Sequence, residues 1–498
     1  MGTIMAKNMT WSKLICNETI AKDRTKGDEG YNPYKDSPFE DDYRWIISSS
    51  VFRRLQDKTQ VFPLDKSDFV RTRLTHSLET SAVAKQLGNM IFNYPYDNNV
   101  NAKNLSSDAK NCEQKIQDIL SCAGLLHDLG NPPFGHFGEE LIGQWFRTKF
   151  EDDEWQYDGK KIVDCLNEQM RHDLENFNGN AQNIRLIAKA YPSDKEHDLN
   201  LTCSTVQTLI KYPYPSNEAK KKGKFGYFCS EKDFVKMIAE KTETINDKEI
   251  YRHPLTCLLE AADDIAYATS DLEDAFVKDS FTLADFIKFY NEEINRLYDN
   301  SSSKNDNMLK KPKELIKVLE DKKETAATRI EELVAFNIFV RHARSGLMYT
   351  ARYGFINNYD EIMNGTYKED LLHGTYHELS IKALKKAMRK FVYSLEGIVR
   401  LELSAQTIIF FLLDRFIPAA ITFDVEKKEK EDDKNENIHS LVHKKALDLI
   451  PENLKNEYRN KMKPGDENYN LYLRLLMVTD FISGMTDSYA KNLYQDLN

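Results

Sequence analysis

Two polar residues, His127 and Asp128, directly follow an apolar run at 119–126, ILSCAGLL. The chain continues as LGNPPFGH, and its glycines and prolines prevent a helix from extending further. Neighbouring side chains at the end of a buried helix can converge on one ion. The spacing therefore predicts that His127 and Asp128 occupy the last turn of that helix, and that the next turn brings His136 back toward the same place.

Two more residues, His76 and Asp263, join this pair as candidate metal ligands. A single core histidine is usually structural, and a single buried carboxylate most often belongs to a salt bridge or a cap. Here, however, three of the four candidates lie at the apolar margin of predicted helices. Imidazoles and carboxylates without thiolates suit Mn, Fe, Co, Ni or Zn, and a carboxylate-rich site also accepts Mg. The four residues indicate a divalent-metal site with positions left for water or phosphate.

Two predicted helices position the outlying candidates. A helix beginning at Pro254 is indicated by apolar residues that recur at helical spacing through 254–276. Steps of four along it place four residues on one slowly drifting face: Leu259, Asp263, Tyr267 and Asp271. The second helix contains His76 and is predicted to carry it beside an apolar stripe: Leu74, Leu78 and Ala82.

Composition predicts an all-α protein, since only 20 glycines and 14 prolines occur in 498 residues. The net charge of -10 argues against a general role in coating nucleic acid. Seven scattered cysteines without a CxxC pair argue against a disulfide framework or a thiolate zinc site, and they fit a cytoplasmic location. No export signal or lipid anchor is indicated, and the apolar stretch 405–423 carries Asp414 and Arg415 at its centre. That stretch is therefore expected to be a buried helix and not a membrane span.

Seven blocks of sequence match one family in that family's order. They are FRRLQDKTQVFP (52–63), RTRLTHS (71–77), HDLGNPPFGHFGE (127–139), GNAQ (179–182), EAADDIAY (260–267), DLEDA (271–275) and SGMTD (483–487). Together with the H…HD…D set of candidate ligands, they make the chain resemble the dGTP triphosphohydrolases, a branch of the HD phosphohydrolases. The chain departs from close relatives at FNGNAQN, where Asn178 and Asn183 replace an acidic residue and a glycine.

The resemblance implies metal-dependent hydrolysis of dGTP, with other dNTPs left open, to the deoxynucleoside and inorganic triphosphate. Mn or Mg is the implied metal, with Co, Ni, Fe or Zn also open. The family is commonly a hexamer, so the resemblance implies a homo-oligomer. Some relatives bind single-stranded DNA, so single-stranded DNA and an allosteric nucleotide are further partners to consider. No association with a membrane is expected. Two alternatives stay open: an HD phosphohydrolase acting on another nucleotide phosphate ester, and a nucleic-acid-binding protein with a vestigial site.

The implied reaction expels an alkoxide, so a general acid near the 5′ oxygen would lower the barrier. His136 is the candidate acid, and Glu139 is within reach to orient it if a helix begins there. Capping of that helix is the structural alternative for His136. By resemblance, the phosphates would contact Arg73, Lys211, Tyr212, Lys224 and, more weakly supported, Arg341. Also by resemblance, the nucleoside would contact Gln60, Val61, Tyr267 and Asp271, and Asn180 would lie at the site.

The sequence predicts four parts. An N-terminal arm at 1–40, ordered on contact or loosely attached, precedes an HD metal-dependent phosphohydrolase core at 41–280. A charged helical connection follows at 281–330, and a helical C-terminal lobe that packs on the core completes the chain at 331–498. Within this lobe the charge run EKKEKEDDKNEN is predicted to be an exposed loop.

Overall fold

The structure, a computed structural model, is all-α, as the composition predicts. It describes residues 8–20, 37–62, 69–93, 100–189, 199–219, 224–247, 249–301, 306–324, 326–425 and 438–498. Short 3₁₀ helices lie at Arg54–Asp57, Ser216–Glu218 and Cys229–Glu231, and the sheet found in the described residues is an antiparallel pair, β1 (Gln156–Tyr157) and β2 (Lys160–Lys161).

The α-helices of the described residues run in the following order. They are α1 (Trp11–Leu14), α2 (Pro38–Ser48), α3 (Ser50–Arg53), α4 (Arg73–Asn93), α5 (Val100–Asp108), α6 (Glu113–Leu126), α7 (Gly135–Phe150), α8 (Ile162–Cys165), α9 (Glu168–Glu175), α10 (Gly179–Lys189), α11 (Cys203–Leu209), α12 (Lys232–Lys241), α13 (Pro254–Val277), α14 (Leu283–Asp299), α15 (Asp306–Lys323), α16 (Arg329–Asn357), α17 (Tyr359–Met363), α18 (Glu378–Phe391), α19 (Glu396–Ile421), α20 (Ile438–Leu449), α21 (Glu452–Lys461), α22 (Glu467–Ser483) and α23 (Asp487–Leu497).

Helices α4 and α6 cross at very short range. The crossing depends on Gly124 in α6, because a Cβ at that position would lie 2.5 Å from the Cα of Ser81 in α4. The Ser81 hydroxyl reinforces the contact by donating to the carbonyl oxygen of Ser121 at 2.8 Å. This close approach brings His76 of α4 toward the end of α6.

The prediction that Leu74, Leu78 and Ala82 form the buried face of α4 is wrong. The helix itself and the burial of His76 are as predicted. Leu78 is 45% exposed, and Ala82 is exposed as well. The face turned inward near His76 instead carries small polar residues: Ser77, Thr80 and Ser81. Small side chains are required there because the backbone of α6 leaves no room for leucine.

Helix α13 begins at Pro254, as predicted, and it is anchored by the residue before it. The Nδ1 atom of His253 accepts a hydrogen bond from the Leu255 backbone N–H at 3.2 Å, which caps the helix. Its Nε2 atom lies 3.1 Å from the carbonyl oxygen of Leu14, to which it donates. Burial lowers the pKa of His253 to about 4, so this imidazole stays neutral and joins α13 to the N-terminal segment.

Residues 8–20 of the predicted N-terminal arm pack on the core. Trp11 is fully buried, and its indole N–H donates to the Tyr359 hydroxyl at 2.9 Å. Thr19 pairs with Thr202 in an antiparallel bridge just before α11. The described part of the arm is therefore ordered by contact with the core.

Two apolar clusters organise the helices, and α19 enters both. The first contains buried residues of α4, α6, α13 and α16, and the second joins α7 to α22 and α23. Ile398 of α19 belongs to the first cluster, whereas Ala405 and the residues after it belong to the second. Helix α19 is long and apolar enough by composition to cross a membrane, yet 56% of its most apolar window is buried. The stretch 405–423 is thus a buried helix, as predicted.

The limits of the four predicted parts stay predictions. The segment predicted as a charged connection contains α14 and α15, and both helices place apolar residues against the first cluster. The charge run at 426–437 lies outside the described residues.

We predict that Gly124→Ala destabilises the protein, because the added methyl group would press on the α4 backbone at Ser81. Overpacking of this kind costs about 1–3 kcal/mol. Gly397→Ala is the matched control, since a Cβ there meets nothing within 4 Å and alanine favours a helix. Urea unfolding followed by circular dichroism measures both variants. Equal free energies of unfolding for the two would contradict the close crossing.

Candidate active site

The four candidate metal ligands converge, although they come from two helices, α4 and α13, and the turn after α6. Donor atoms of His76, His127 and Asp128 all lie within 4.8 Å of one another. The Oδ1 atom of Asp263 is 3.3 Å from His76 Nε2 and 3.4 Å from His127 Nε2. The structure therefore brings together residues separated by 187 positions in the sequence.

The ring of His127 is oriented for binding a cation. Its Nδ1 atom lies 2.8 Å from the carbonyl oxygen of Gly124, which requires the proton to be on Nδ1. In the neutral ring the lone pair is then on the Nε2 atom, which is buried without a hydrogen-bond partner. An orphaned imidazole nitrogen facing two carboxylates fits a divalent metal ion. The donor set of nitrogen and oxygen atoms suits Mn or Mg as well as the other first-row metals.

Opposite charges keep the two carboxylates of the cluster ionised. Burial alone would raise the pKa of Asp128, but Arg73 and His127 hold it well below its usual range. The pKa of Asp263 is held well below its usual range by His127 and His76, again against the effect of burial. Both groups are therefore anions at neutral pH.

Asp128 is also held by two direct contacts. Its Oδ2 atom accepts from Arg73 Nη1 at 2.5 Å, and its Oδ1 atom accepts from Asn131 Nδ2 at 2.6 Å. Arg73 in turn packs on Gly135, where a Cβ would lie 2.5 Å from its Nη2 atom. Arg73, the candidate phosphate-binding arginine, is thus fixed between the candidate metal ligands and the first residue of α7.

Helix α6 ends two residues earlier than predicted. Its last residue is Leu126, so both His127 and Asp128 follow the helix instead of occupying its last turn. The side chain of Asn183 donates to the carbonyl oxygens of Leu126 at 2.8 Å and His127 at 3.3 Å, which caps the helix end. Asn183 is one of the two departures from the family pattern, and sequence reasoning did not assign it this role.

His136 returns to the cavity, as predicted. Helix α7 begins at Gly135, and the Nδ1 atom of His136 lies 3.3 Å from Glu139 Oε1. The charge of Glu139 raises the pKa of His136 and favours the imidazolium. Glu139 itself is buried and accepts from the Gly179 backbone N–H at 3.0 Å, so the pair is rigidly placed.

Lysines predicted to bind phosphate lie at the cavity, each opposite a carboxylate. Lys211 Nζ is 3.4 Å from Glu260 Oε1, and Lys224 Nζ is 3.5 Å from Glu139 Oε2. The side chains of Lys211 and Lys224 are 33% and 35% exposed, so both amino groups are accessible to an anion that enters the cavity. Tyr212 lines the cavity beside Lys211.

Arg341 is not brought to the cavity within one chain. It lies on the exposed outer face of α16, because the inner face of that helix packs against α13. The phosphate contact implied by resemblance for Arg341 is therefore absent from the site that a single chain forms in the described residues.

The predicted wall of the sugar site differs in one respect. Tyr267 lines the cavity, but Asp271 is fully buried behind it and does not. The Tyr393 hydroxyl stands between them, contacting the Tyr267 hydroxyl and donating to Asp271 Oδ2 at 3.2 Å. Sequence reasoning missed Tyr393, which comes from the short segment between α18 and α19 and carries no local signal.

One cavity of about 520 Å³ contains these groups. Gln60, Val61 and Asn180 line it, as predicted, and the Oε1 atom of Gln60 is buried without a hydrogen-bond partner. One side is formed by the first turns of α19, which sequence reasoning also missed: Ile398, Leu401, Glu402 and Ala405.

Three relatives of known name cover nearly the whole chain. The deoxyguanosinetriphosphate triphosphohydrolase-like protein of Listeria monocytogenes is 40% identical over 98% of this chain and 99% of its own length. The protein of the same name from Listeria innocua has the same identity and coverage. The deoxyguanosinetriphosphate triphosphohydrolase of Yersinia pestis is 31% identical over 92% of this chain and 93% of its own length. Residues 73–198 match the family described as HD domain, and residues 413–496 match the family described as phosphohydrolase-associated domain.

We predict that Asp263→Asn weakens Mn²⁺ binding by at least about 100-fold while the protein stays folded. The amide cannot supply the anionic oxygen that faces both imidazoles. Asp264→Asn is the matched control, because Asp264 lies on the same helix and lines the same cavity but pairs with Lys385 at 2.7 Å. Isothermal titration calorimetry measures the affinity of each variant. An unchanged affinity in Asp263→Asn would remove Asp263 from the ligand set.

Metal binding is also predicted to release protons. Burial alone would lower the pKa of His127, but Asp128 and Asp263 raise it to about 9 in the absence of metal. A ligand imidazole must be neutral, so Mn²⁺ affinity should rise between pH 7 and 9 and level off above that range. Titrations in two buffers of different ionisation enthalpy should show release of about one proton per ion at pH 7. An affinity independent of pH in this window would contradict the assignment.

Proposed function

Because the chain belongs to the deoxyguanosinetriphosphate triphosphohydrolase family of HD-domain phosphohydrolases, we propose that it cleaves dGTP to deoxyguanosine and inorganic triphosphate. One observation carries the proposal. A single cavity joins the four candidate metal ligands to the His136–Glu139 pair and to three cationic side chains. A triphosphate ester needs all three kinds of group at once.

The phosphate end of the substrate is bound by charge. His76, His127, Asp128 and Asp263 would hold a divalent metal ion, which when bound lowers the pKa of its water and polarises the α-phosphate. Arg73, Lys211 and Lys224 offset the charge of the triphosphate. Water adds to the α-phosphorus, and the bond from that phosphorus to the 5′ oxygen breaks.

His136 supplies the proton that the departing 5′ oxygen needs. An alkoxide is a poor leaving group, so protonation as the bond breaks lowers the barrier. Glu139 holds Nδ1 of the imidazole and favours its protonated form. The other ring nitrogen, Nε2, then carries the proton to be transferred. The side chain of His136 is 70% exposed to the cavity, which supports direct contact with substrate.

Tyr267 and Gln60 bind the deoxyribose. The ring of Tyr267 lines the cavity and leaves little room for a 2′ hydroxyl, while the orphaned Oε1 atom of Gln60 accepts a hydrogen bond from a sugar hydroxyl. Asp271 reaches the 3′ hydroxyl when Tyr393 gives up its hydrogen bond to that carboxylate. Tyr393 therefore shares the recognition of the sugar.

A preference for guanine is supported by Glu402. Its carboxylate lines the cavity among apolar and aromatic neighbours of α19 and the segment before it, Tyr393, Ile398 and Leu401. Guanine presents N–H donors at N1 and at its amino group, both suited to one carboxylate. Adenine presents an acceptor at N1, which a carboxylate repels.

The assignment is tested by incubating the purified protein with each dNTP and NTP and Mn²⁺ or Mg²⁺, and separating the products by ion-exchange chromatography. We expect deoxyguanosine and triphosphate from dGTP, slower turnover of dATP, and no turnover of GTP. Pyrophosphate with dGMP, turnover restricted to another phosphate ester, or no turnover would overturn the proposal. A metal-chelated sample serves as the control and should be inactive.

The family resemblance adds further proposals about assembly and location. These are a homo-oligomer, of six chains by resemblance, a cytoplasmic location, and accessory binding of single-stranded DNA or an allosteric nucleotide. The outer face of α16 supports oligomerisation, because apolar residues stay exposed there: Ile330, Val334, Tyr349 and Tyr353.

A further inference from the structure

Asp487, the first residue of α23, lies outside the cavity and hydrogen-bonds to two segments that line it. It is buried, and its Oδ1 atom accepts from the Phe134 backbone N–H at 3.0 Å. Its Oδ2 atom accepts from the Thr59 backbone N–H at 2.9 Å and from the Thr59 hydroxyl. One carboxylate thus joins the turn before His136 to the segment that carries Gln60. Within the described residues, the Phe134 N–H donates to Asp487 alone.

The turn held by Asp487 is strained. Phe134 and Gly135 both have left-handed backbone angles, with φ of 63° and 61°. Glycine adopts this conformation readily, but phenylalanine does so at a cost and needs external support. The conformation sets the first turn of α7, which carries His136, and leaves Gly135 against the guanidinium of Arg73.

Lys58 makes a second set of hydrogen bonds between the segment that carries Gln60, the turn after α6 and the C-terminal region. Its buried amino group donates to the carbonyl oxygens of Asn131 at 2.6 Å and Ser483 at 2.7 Å. Its own carbonyl oxygen accepts from the Arg73 backbone N–H at 3.0 Å. We call Lys58, Thr59, Phe134, Ser483 and Asp487 the Asp487 junction. It links the phosphohydrolase-associated region to both sides of the cavity.

We propose that Asp487 is a positioning residue for the reaction, through which the phosphohydrolase-associated region holds His136 and Arg73 at the reacting phosphate. The proposal rests on the proposed function, since it concerns the protonation of the leaving group. His136 acts as the 5′ oxygen departs, so a misplaced turn lowers kcat more than it raises KM. A merely structural Asp487 would change stability and leave kcat of the folded enzyme unchanged.

Asp487→Asn tests this role with little change of volume. The amide oxygen should face Thr59, which offers two donors, so the amide N–H₂ would face the Phe134 N–H and repel it. Only the hydrogen bond to the Phe134 N–H, on the side of the junction next to His136, is then lost. We expect kcat for triphosphate release to fall by about 10- to 100-fold and KM to change by less than about threefold.

Thr486→Ala and Ser488→Ala are the matched controls. Thr486 caps the same helix by accepting from the Tyr489 N–H at 3.2 Å, so its loss lowers the melting temperature without touching the turn. Ser488 donates to Asp57 at 2.9 Å and so joins α23 to the segment that carries Gln60, away from Phe134. Both controls should keep kcat within about twofold of the wild type.

All kinetic constants are measured at a temperature where thermal melts show each variant to be folded. A kcat of Asp487→Asn equal to that of Thr486→Ala would overturn the positioning role. If Asp487→Asn does not fold, Asp487→Glu keeps the charge but displaces the carboxylate, and the same split between kcat and KM is expected. The wild-type products decide the proposed function. The ratio of variant to wild type, measured on whichever nucleotide the wild type cleaves, decides the role of Asp487.

Discussion

The site depends on keeping two neighbouring carboxylates, Asp128 and Asp263, ionised where the protein displaces most of the water. Such charges are costly unless opposite charges and hydrogen bonds compensate them. Arg73 supplies a guanidinium to Asp128, and the imidazoles of His76 and His127 lie beside Asp263. Arg73 and His76 come from α4 and His127 follows α6, whereas Asp263 lies on α13, so these helices must meet at one point. A divalent cation at that point would complete the neutralisation that these groups begin.

That meeting point is made by small and capping residues more than by large apolar ones. Gly124 lets α4 and α6 cross closely enough for His76 to reach His127. Asn183 then donates to the carbonyl oxygens of Leu126 and His127, so these two backbone groups are paired where the chain leaves α6. The apolar clusters stabilise the fold, whereas these few residues determine the distances within the site.

The C-terminal half contributes to the site directly. Tyr393 and the first turns of α19 form one side of the cavity, and Asp487 supports the turn before His136. Asp487 lies within residues 413–496, which match a phosphohydrolase-associated family, whereas Tyr393 and the cavity-lining residues of α19 precede that match. Without these segments the cavity would lack one wall and the support of its strained turn.

The sequence by itself determined the candidate ligand types, the helix that begins at Pro254 and the pairing of His136 with Glu139. These features depend on residue chemistry and on separations of three or four within one helix, which are local. Only the tertiary structure decided which face of α4 is buried and that Tyr393 screens Asp271 from the cavity. The first outcome depends on how closely α4 and α6 approach, and the second on a contact between residues 122 positions apart in the chain. No periodicity within a single helix encodes either distance.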